Sequence, residues 1–259
     1  MTYCVGIRTH QGLVMASDSR TNSGIDQIDV CRKMHNFVTP GDRLITILSS
    51  GSLSLTQSVM TRLQQEFHAG EGLAQVATFY DAARCVGRQV REVAALDREY
   101  MERDHINFTV NLLVGGQIRG EPPQLYMIYA QGNPLRCTRS SPFLQIGESK
   151  YGRPILDRGI RFGETTLEQA VKYAIISLDS TMRSNVAVGP PIDLLVYGND
   201  DLSVRRYRRL TAADPDLVEI RSHWERELRR AIGLLPEIDF SGPPQDVELG
   251  VTNSRVGTD

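Results

Sequence analysis

The chain is poor in cysteine, and the cysteines it has do not pair by spacing. Cys4, Cys31, Cys85 and Cys137 stand far apart in 259 residues, with no CxxC among them. That pattern speaks against both a zinc ribbon and a disulfide framework. No apolar run approaches the roughly 18–20 residues that a bilayer-spanning helix needs. Charge of one sign is also missing: 29 Lys and Arg against 31 Asp and Glu leave a formal net charge of −2. Such a balance gives no electrostatic footprint for nucleic acid or for an acidic membrane surface. The amino end, "MTYCVGIRTHQGLVMASDSR", lacks the basic-then-apolar pattern of a secretory signal. Reduced thiols and a cytoplasmic location are therefore expected. His35 and His105 show no metal-ligand spacing, and "GGQIRG" lacks the GxGxxG spacing of a phosphate cradle and predicts a turn. No metal or organic cofactor is expected.

What is present is ordinary globular material, 41% hydrophobic and 23% charged, enough for a sizeable core. "TYCVGIR" and "GLVMASD" read as strands joined by "THQG", a hairpin; "VCRKMHNFV" and "RLITILSS" read as a second pair parted by "TPGD". From Ser52 the period changes. Leu53, Leu55, Val59, Met60 and Leu63, then Val76, Phe79, Ala82, Ala83, Val86 and Val90, recur at helical spacing and predict two helices broken at "HAGEG". Strands return in "NFTVNLLVGG", "QLYMIYA" and "LRCTRSSPFLQIG". A short helix over 151–158 and a long one over 166–183 follow, the latter opening on "TTLEQ", which suits a capping box. "IDLLVYG" and "LSVRRYRRL" are strands again, and residues 214–232 form a closing amphipathic helix with Pro215 in its first turn. Antiparallel strands segregated from helix pairs predict an α+β fold: two packed sheets, each with helices on its outer face. Residues 1–240 are expected to form one domain, and residues 241–259, poor in large apolar side chains, a flexible tail.

The hairpin has a chemical consequence. A turn centred near His10 or Gln11 puts Thr2 opposite Asp18 within about a residue, and opposed residues of an antiparallel pair share a face. A third strand carrying "CRKMH" brings Lys33 toward the same place. The residue after the start methionine is small, which favours trimming of that methionine. Thr2 then carries a hydroxyl and a free α-amine, whose ordinary pKa of roughly 7.7–8.0 suits a general base near neutral pH. A threonine with its own amine is a nucleophile-and-base arrangement. Lys33 would lower the pKa of the amine, and Asp18 would hold Lys33 charged and oriented. "SSGS" after a strand puts Gly51 at a helix start, where its N–H suits a tetrahedral oxyanion.

Thr at the start, "ASDSR" about sixteen residues on, "RKM" about thirty on, and then strand–"SSGS"–helix together resemble the proteasome-type N-terminal-nucleophile hydrolases. The likeness is most specific to a bacterial branch of that family, whose chains open "MTYCV" and continue "SDSRTN" and "RKMH". It covers most of residues 1–210. The resemblance implies a four-layer αββα sandwich, and assembly with copies of itself into a ring or open spiral. It also assigns Thr2 as nucleophile, Asp18 and Lys33 as its charged partners, and Gly51 as the oxyanion glycine. The sequence departs from the general pattern in having only Met1 before the threonine and in placing Lys33 one residue early. For the Ser/Asp/Ser support motif, "IGESKYG" near Ser149 and "DSTMRSNVAVG" near Asp179 and Ser184 are the candidate sites.

Other features have plainer readings. Cys4 is a rival nucleophile by chemistry and a small core residue facing the second sheet by position. "RRYRR" alternates on a strand and reads as a solvated or subunit-facing edge. "HWERELRRAIGLL" covers its own core or docks on a neighbour. Thr21, Cys31 and Ser49 are expected to line a small or polar pocket. Two functions follow: a threonine peptidase or amidohydrolase acting on peptide or amide substrates, or a catalytically silent ring subunit of the same fold. Nothing in the chain encodes an ATPase.

Overall fold

Tyr3–Thr9 (β1) and Gly12–Ser17 (β2) pair as a hairpin, Thr9 against Gly12 and Cys4 against Ser17, closed by His10 and Gln11. Gly12 has φ +146°, and a Cβ there would lie 2.0 Å from the Tyr197 carbonyl oxygen, so no larger residue fits the turn. The computed structural model describes residues 2–22, 28–239 and 241.

The chain continues through Arg20–Asn22 (β3), Ile28–Val30 (β4), Met34–Thr39 (β5) and Arg43–Gly51 (β6). The helices Leu53–His68 (α1) and Phe79–Arg103 (α2) come next. Val110–Ile118 (β7), Gln124–Ile128 (β8), Pro134–Arg136 (β9) and Phe143–Gly147 (β10) return to strand. Arg153–Gly159 (α3), Leu167–Ser184 (α4), Ile192–Gly198 (β11), Arg206–Leu210 (β12) and Pro215–Gly233 (α5) complete the order. Two five-stranded antiparallel sheets result, β10-β1-β2-β11-β12 and β5-β6-β7-β8-β9, with β3 and β4 pairing separately.

Period-2 alternation explains the layers. Tyr3, Val5 and Ile7 of β1 face the cluster shared with Leu156 of α3 and Ala170, Ala174 and Leu178 of α4. Cys4 points the other way, into a core with Leu48, Leu113 and Leu125 of the second sheet. The outer face of that sheet, with Ile45, Ile47, Leu112 and Val114, packs on Leu55, Val59 and Leu63 of α1 and Val86 and Val90 of α2. Helices, sheet, sheet, helices is the αββα order expected. Between the sheets Gly6 sits where a Cβ would come within 2.8 Å of Leu125, so the layers approach closely there. Truncating a fully buried leucine of this core costs about 2–5 kcal/mol.

Local signals set the helix starts. Thr166 accepts from the Gln169 amide at 3.2 Å while the Gln169 side chain takes the Thr166 amide at 3.0 Å, the expected capping box. The second helix starts at Phe79 rather than Val76, because the Thr78 hydroxyl accepts from the Asp81 amide. Two strand readings are corrected. "VCRKMHNFV" is broken at residues 31–33 between β4 and β5, and "LRCTRSSPFLQIG" is two strands in different sheets, β9 and β10.

By internal packing the chain divides into two compact units, Met1–Ser222 and His223–Asp259, with the boundary inside α5. In the first, Leu217 is buried in the α4 cluster and Arg221 pairs with Asp179. In the second, Leu228, Ile232, Leu234, Leu235 and Ile238 are exposed. Residues 242–259, most of the expected tail, lie outside the described residues. No helix among the described residues is long and apolar enough to cross a membrane.

Candidate active site

β2 ends at Ser17, which frees the next residues from strand alternation. Asp18 therefore lies opposite Tyr3, one position from Thr2, and turns its carboxylate inward. Its Oδ1 accepts the Tyr3 amide at 3.0 Å, the N–H of the peptide that joins Thr2 to Tyr3. The same oxygen takes the Lys33 ammonium at 2.7 Å, and Oδ2 takes the Gly189 amide at 3.2 Å. Asp18 is wholly buried. Burial pushes its carboxyl above the ordinary value, against the pull of Lys33 and of the two amides.

Lys33 comes from the extended link before β5, not from a strand of the same sheet as Thr2. It reaches Asp18 because β5 and β2 belong to facing sheets. Its ammonium also donates to the Arg20 carbonyl at 2.6 Å. Arg20 in turn donates to the Val186 carbonyl, and the Ser19 and Arg20 amides both reach the Gly189 carbonyl. The residues "SDSR" thus tie the strand that follows Thr2 to the loop before β11.

Gly51 ends β6 with φ +122°, and a Cβ there would lie 2.1 Å from the Thr109 carbonyl oxygen. It lines a cavity of about 410 Å³ together with Thr2 and Lys33. The predicted pocket residues Thr21, Cys31 and Ser49 line it too, as do Arg32, His35, Gln57 and Gln64. Burial, and then the Arg32 charge, lower the His35 pKa, which keeps the ring neutral. A second cavity of about 400 Å³ shares Thr2, Thr21, Ser50, Gly51 and Leu53 and is closed by Gly147 and Glu148. The α1 N-terminus, with Ser52 as N-cap, abuts both.

Thr2, Asp18, Lys33 and Gly51 are thus brought together. The support candidates Ser149, Asp179 and Ser184 are not among the residues lining the two cavities. Asp179 is buried on α4 and engaged by Arg221 and Arg183, and Ser184 is exposed at the end of the same helix. The Ser149 carbonyl takes the Arg153 amide at the start of α3. In "IGESKYG" the residue that reaches the site is Glu148, whose amide donates to the Thr2 carbonyl at 2.7 Å. The register of the β1–β10 pairing, Tyr3 against Gly147, is the signal that finds it. Cys4 is core: its thiol is buried between the sheets and burial pushes its pKa well up. Among the described residues no cluster of His, Cys, Asp or Glu is arranged to hold a metal.

Known proteins resemble this chain in sequence and fold. The proteasome-subunit family matches residues 2–197. Proteasome subunit beta 2 of Pyrobaculum islandicum is 25% identical over 218 residues, 84% of this chain and 98% of that protein. Anbu, described as an ancestral beta-subunit, from Yersinia bercovieri is 42% identical in its solved structure, with a TM-score of 0.87 over 93% of this chain and 100% of that one. The Anbu complex from Pseudomonas aeruginosa, solved as a helical assembly, is 46% identical with a TM-score of 0.87 over 92% and 98%.

Proposed function

The chain belongs to the proteasome family, and from that premise we propose that it is a self-assembling N-terminal threonine hydrolase of peptide or amide bonds. A hydrolase of the peptidase type is what the family membership itself supports. The threonine mechanism rests on one observation above others: the buried Lys33–Asp18 pair, at 2.7 Å, is coupled to the Thr2–Tyr3 peptide through the Tyr3 amide.

Once Met1 is removed, the Thr2 amine takes the proton of its own hydroxyl as the oxygen attacks the substrate carbonyl carbon. The developing oxyanion accepts from the Gly51 N–H, with the positive end of α1 beside it. Collapse breaks the C–N bond, and the leaving amine departs with the proton held by the Thr2 ammonium. The acyl group remains on Thr2 as an ester. Water, deprotonated by the amine, then hydrolyses that ester and restores the hydroxyl. Lys33 favours the alkoxide-like state electrostatically, and Asp18 keeps it charged and aimed. No step calls on a metal or an organic cofactor.

Self-assembly follows by likeness to the helical Pseudomonas aeruginosa relative. Sedimentation of the purified protein tests it, a single monomeric species counting against assembly. The chemistry is tested with a peptide epoxyketone, which captures a hydroxyl and an α-amine on one residue. The expected adduct maps to Thr2 and is absent from Thr2→Ala, which also loses turnover. Full activity in purified Thr2→Ala would overturn the proposal. Intact mass separates the alternative: retained Met1 leaves no free amine on Thr2 and favours a silent structural subunit.

A further inference from the structure

Glu148 is a carboxylate that the mechanism above does not use, yet it stands beside the nucleophile. Tyr3 pairs with Gly147 across β1 and β10, and the Glu148 amide donates to the Thr2 carbonyl at 2.7 Å. Thr2 and Glu148 are therefore backbone neighbours at the ends of the paired strands. Both side chains line the second cavity, and Glu148 is the one ionisable residue there among the described residues.

The carboxylate is held, not free to wander. Its side chain is 13% exposed. Oε2 accepts from the Asn185 Nδ2 at 2.9 Å. The Asn185 Oδ1 accepts the Ala187 amide at 3.0 Å, which orients that amide with its NH₂ toward Glu148. Lys150 approaches Oε1 at 3.3 Å but is 66% exposed, a screened contact that leaves most of the negative charge in place.

We propose that Glu148 is a positioning residue for Thr2: it is the counter-charge for the α-ammonium formed when Met1 leaves, and it sets the pH at which that amine becomes a base. The inference rests on the reading of Thr2 as processed nucleophile. The charged groups around Thr2 divide into two sets. Lys33, tied to Asp18, stands on the side of the first cavity, with Arg32 and His35 farther along it; Glu148, with Lys150, stands on the other. From α1, Leu53 and Gln57 line the first cavity without charge. An anion beside the ammonium stabilises the protonated form and raises its pKa, opposing Lys33.

The test measures the Thr2 amine directly, through the pH dependence of its acylation by acetic anhydride, read by mass spectrometry in the processed chain. Glu148→Gln keeps an acceptor for Asn185 and removes only the charge. Its amine pKa is expected to fall by about one unit, with the acidic limb of kcat/KM moving the same way. Glu148→Asp, which keeps the charge, is expected to stay near the parent protein and covers the case of a poorly folding glutamine variant. An amine that titrates identically in all three proteins would overturn the inference while leaving the Thr2 mechanism standing. Activity surviving in Thr2→Ala would remove that mechanism, and the amine titration would still report whether Glu148 faces it.

Discussion

Lys33 and Asp18 meet across the space between two sheets, ammonium to carboxylate at 2.7 Å, and both are buried. Buried pairs of this kind are costly to break and cheap to lose together, since a single removal leaves an uncompensated charge. Lys33→Met is accordingly expected to lower stability by about 3–5 kcal/mol and to abolish turnover. Combining it with Asp18→Asn should recover much of the stability and none of the activity. Urea unfolding of both single variants and the double, with turnover measured beside it, checks this. Additive losses would show that the two groups are not coupled.

Gly51 combines φ +122° with a backbone oxygen 2.1 Å from where a Cβ would be. Gly51→Ala must move either β6 or the start of β7. A loss of at least 1–3 kcal/mol, roughly the cost of one strained backbone site, is expected, together with loss of Thr2 acylation. Thermal unfolding that matches the parent protein would contradict the geometry.

His35 lines the first cavity with its pKa lowered by burial and by Arg32. The sign follows from linkage: a depressed folded-state pKa contributes stability above the ordinary value of about 6.5. That contribution is lost as pH falls through the folded pKa. The stability difference between the parent protein and His35→Gln should therefore shift in favour of the variant between pH 7 and pH 5. Parallel stability curves for the two proteins would refute it.

Cysteine reactivity should separate by position. Burial pushes the thiol of Cys85 up to about 11 and that of Cys137 up to about 12, and pushes Cys4 higher still. Cys31 is only partly buried and lines the cavity beside Thr2. Brief treatment of the native protein with a maleimide is expected to modify Cys31 alone, with all four cysteines reacting after unfolding. The adduct fills part of the 410 Å³ cavity and should slow Thr2 labelling several-fold. Preferential modification of Cys4 would show that the sheets open more than their packing implies.

The convergence of Thr2, Asp18, Lys33 and Gly51 was legible in the sequence. Thr2, Asp18, Lys33 and Gly51 stand at spacings whose chemistry makes sense only if they converge. The hairpin was readable because its turn and its apolar runs are local. The break at residues 31–33 was not, since no Gly or Pro marks it; Lys33 leaves strand geometry to reach Asp18. Glu148 was missed for a related reason. The pairing of β1 with β10 decides which residue of "IGESKYG" stands against Thr2. Asp179, singled out by its company of serines, proved to hold α5 through Arg221.

The sequence by itself determined the periods of the elements, the helix caps, and the kinds of group available to the chemistry. These depend on neighbours a few residues away, and backbone sterics and side-chain hydrogen bonds act at that range. Which sheet each strand joined was a tertiary decision. Alternation says that a residue has an inner face, and it is silent on what that face meets. Lys33 meets Asp18 because two sheets close on a shared apolar core, and Glu148 meets Thr2 because β10 pairs with β1 within one sheet. Strand pairing in the one case and sheet packing in the other bring such distant positions within the reach of a hydrogen bond.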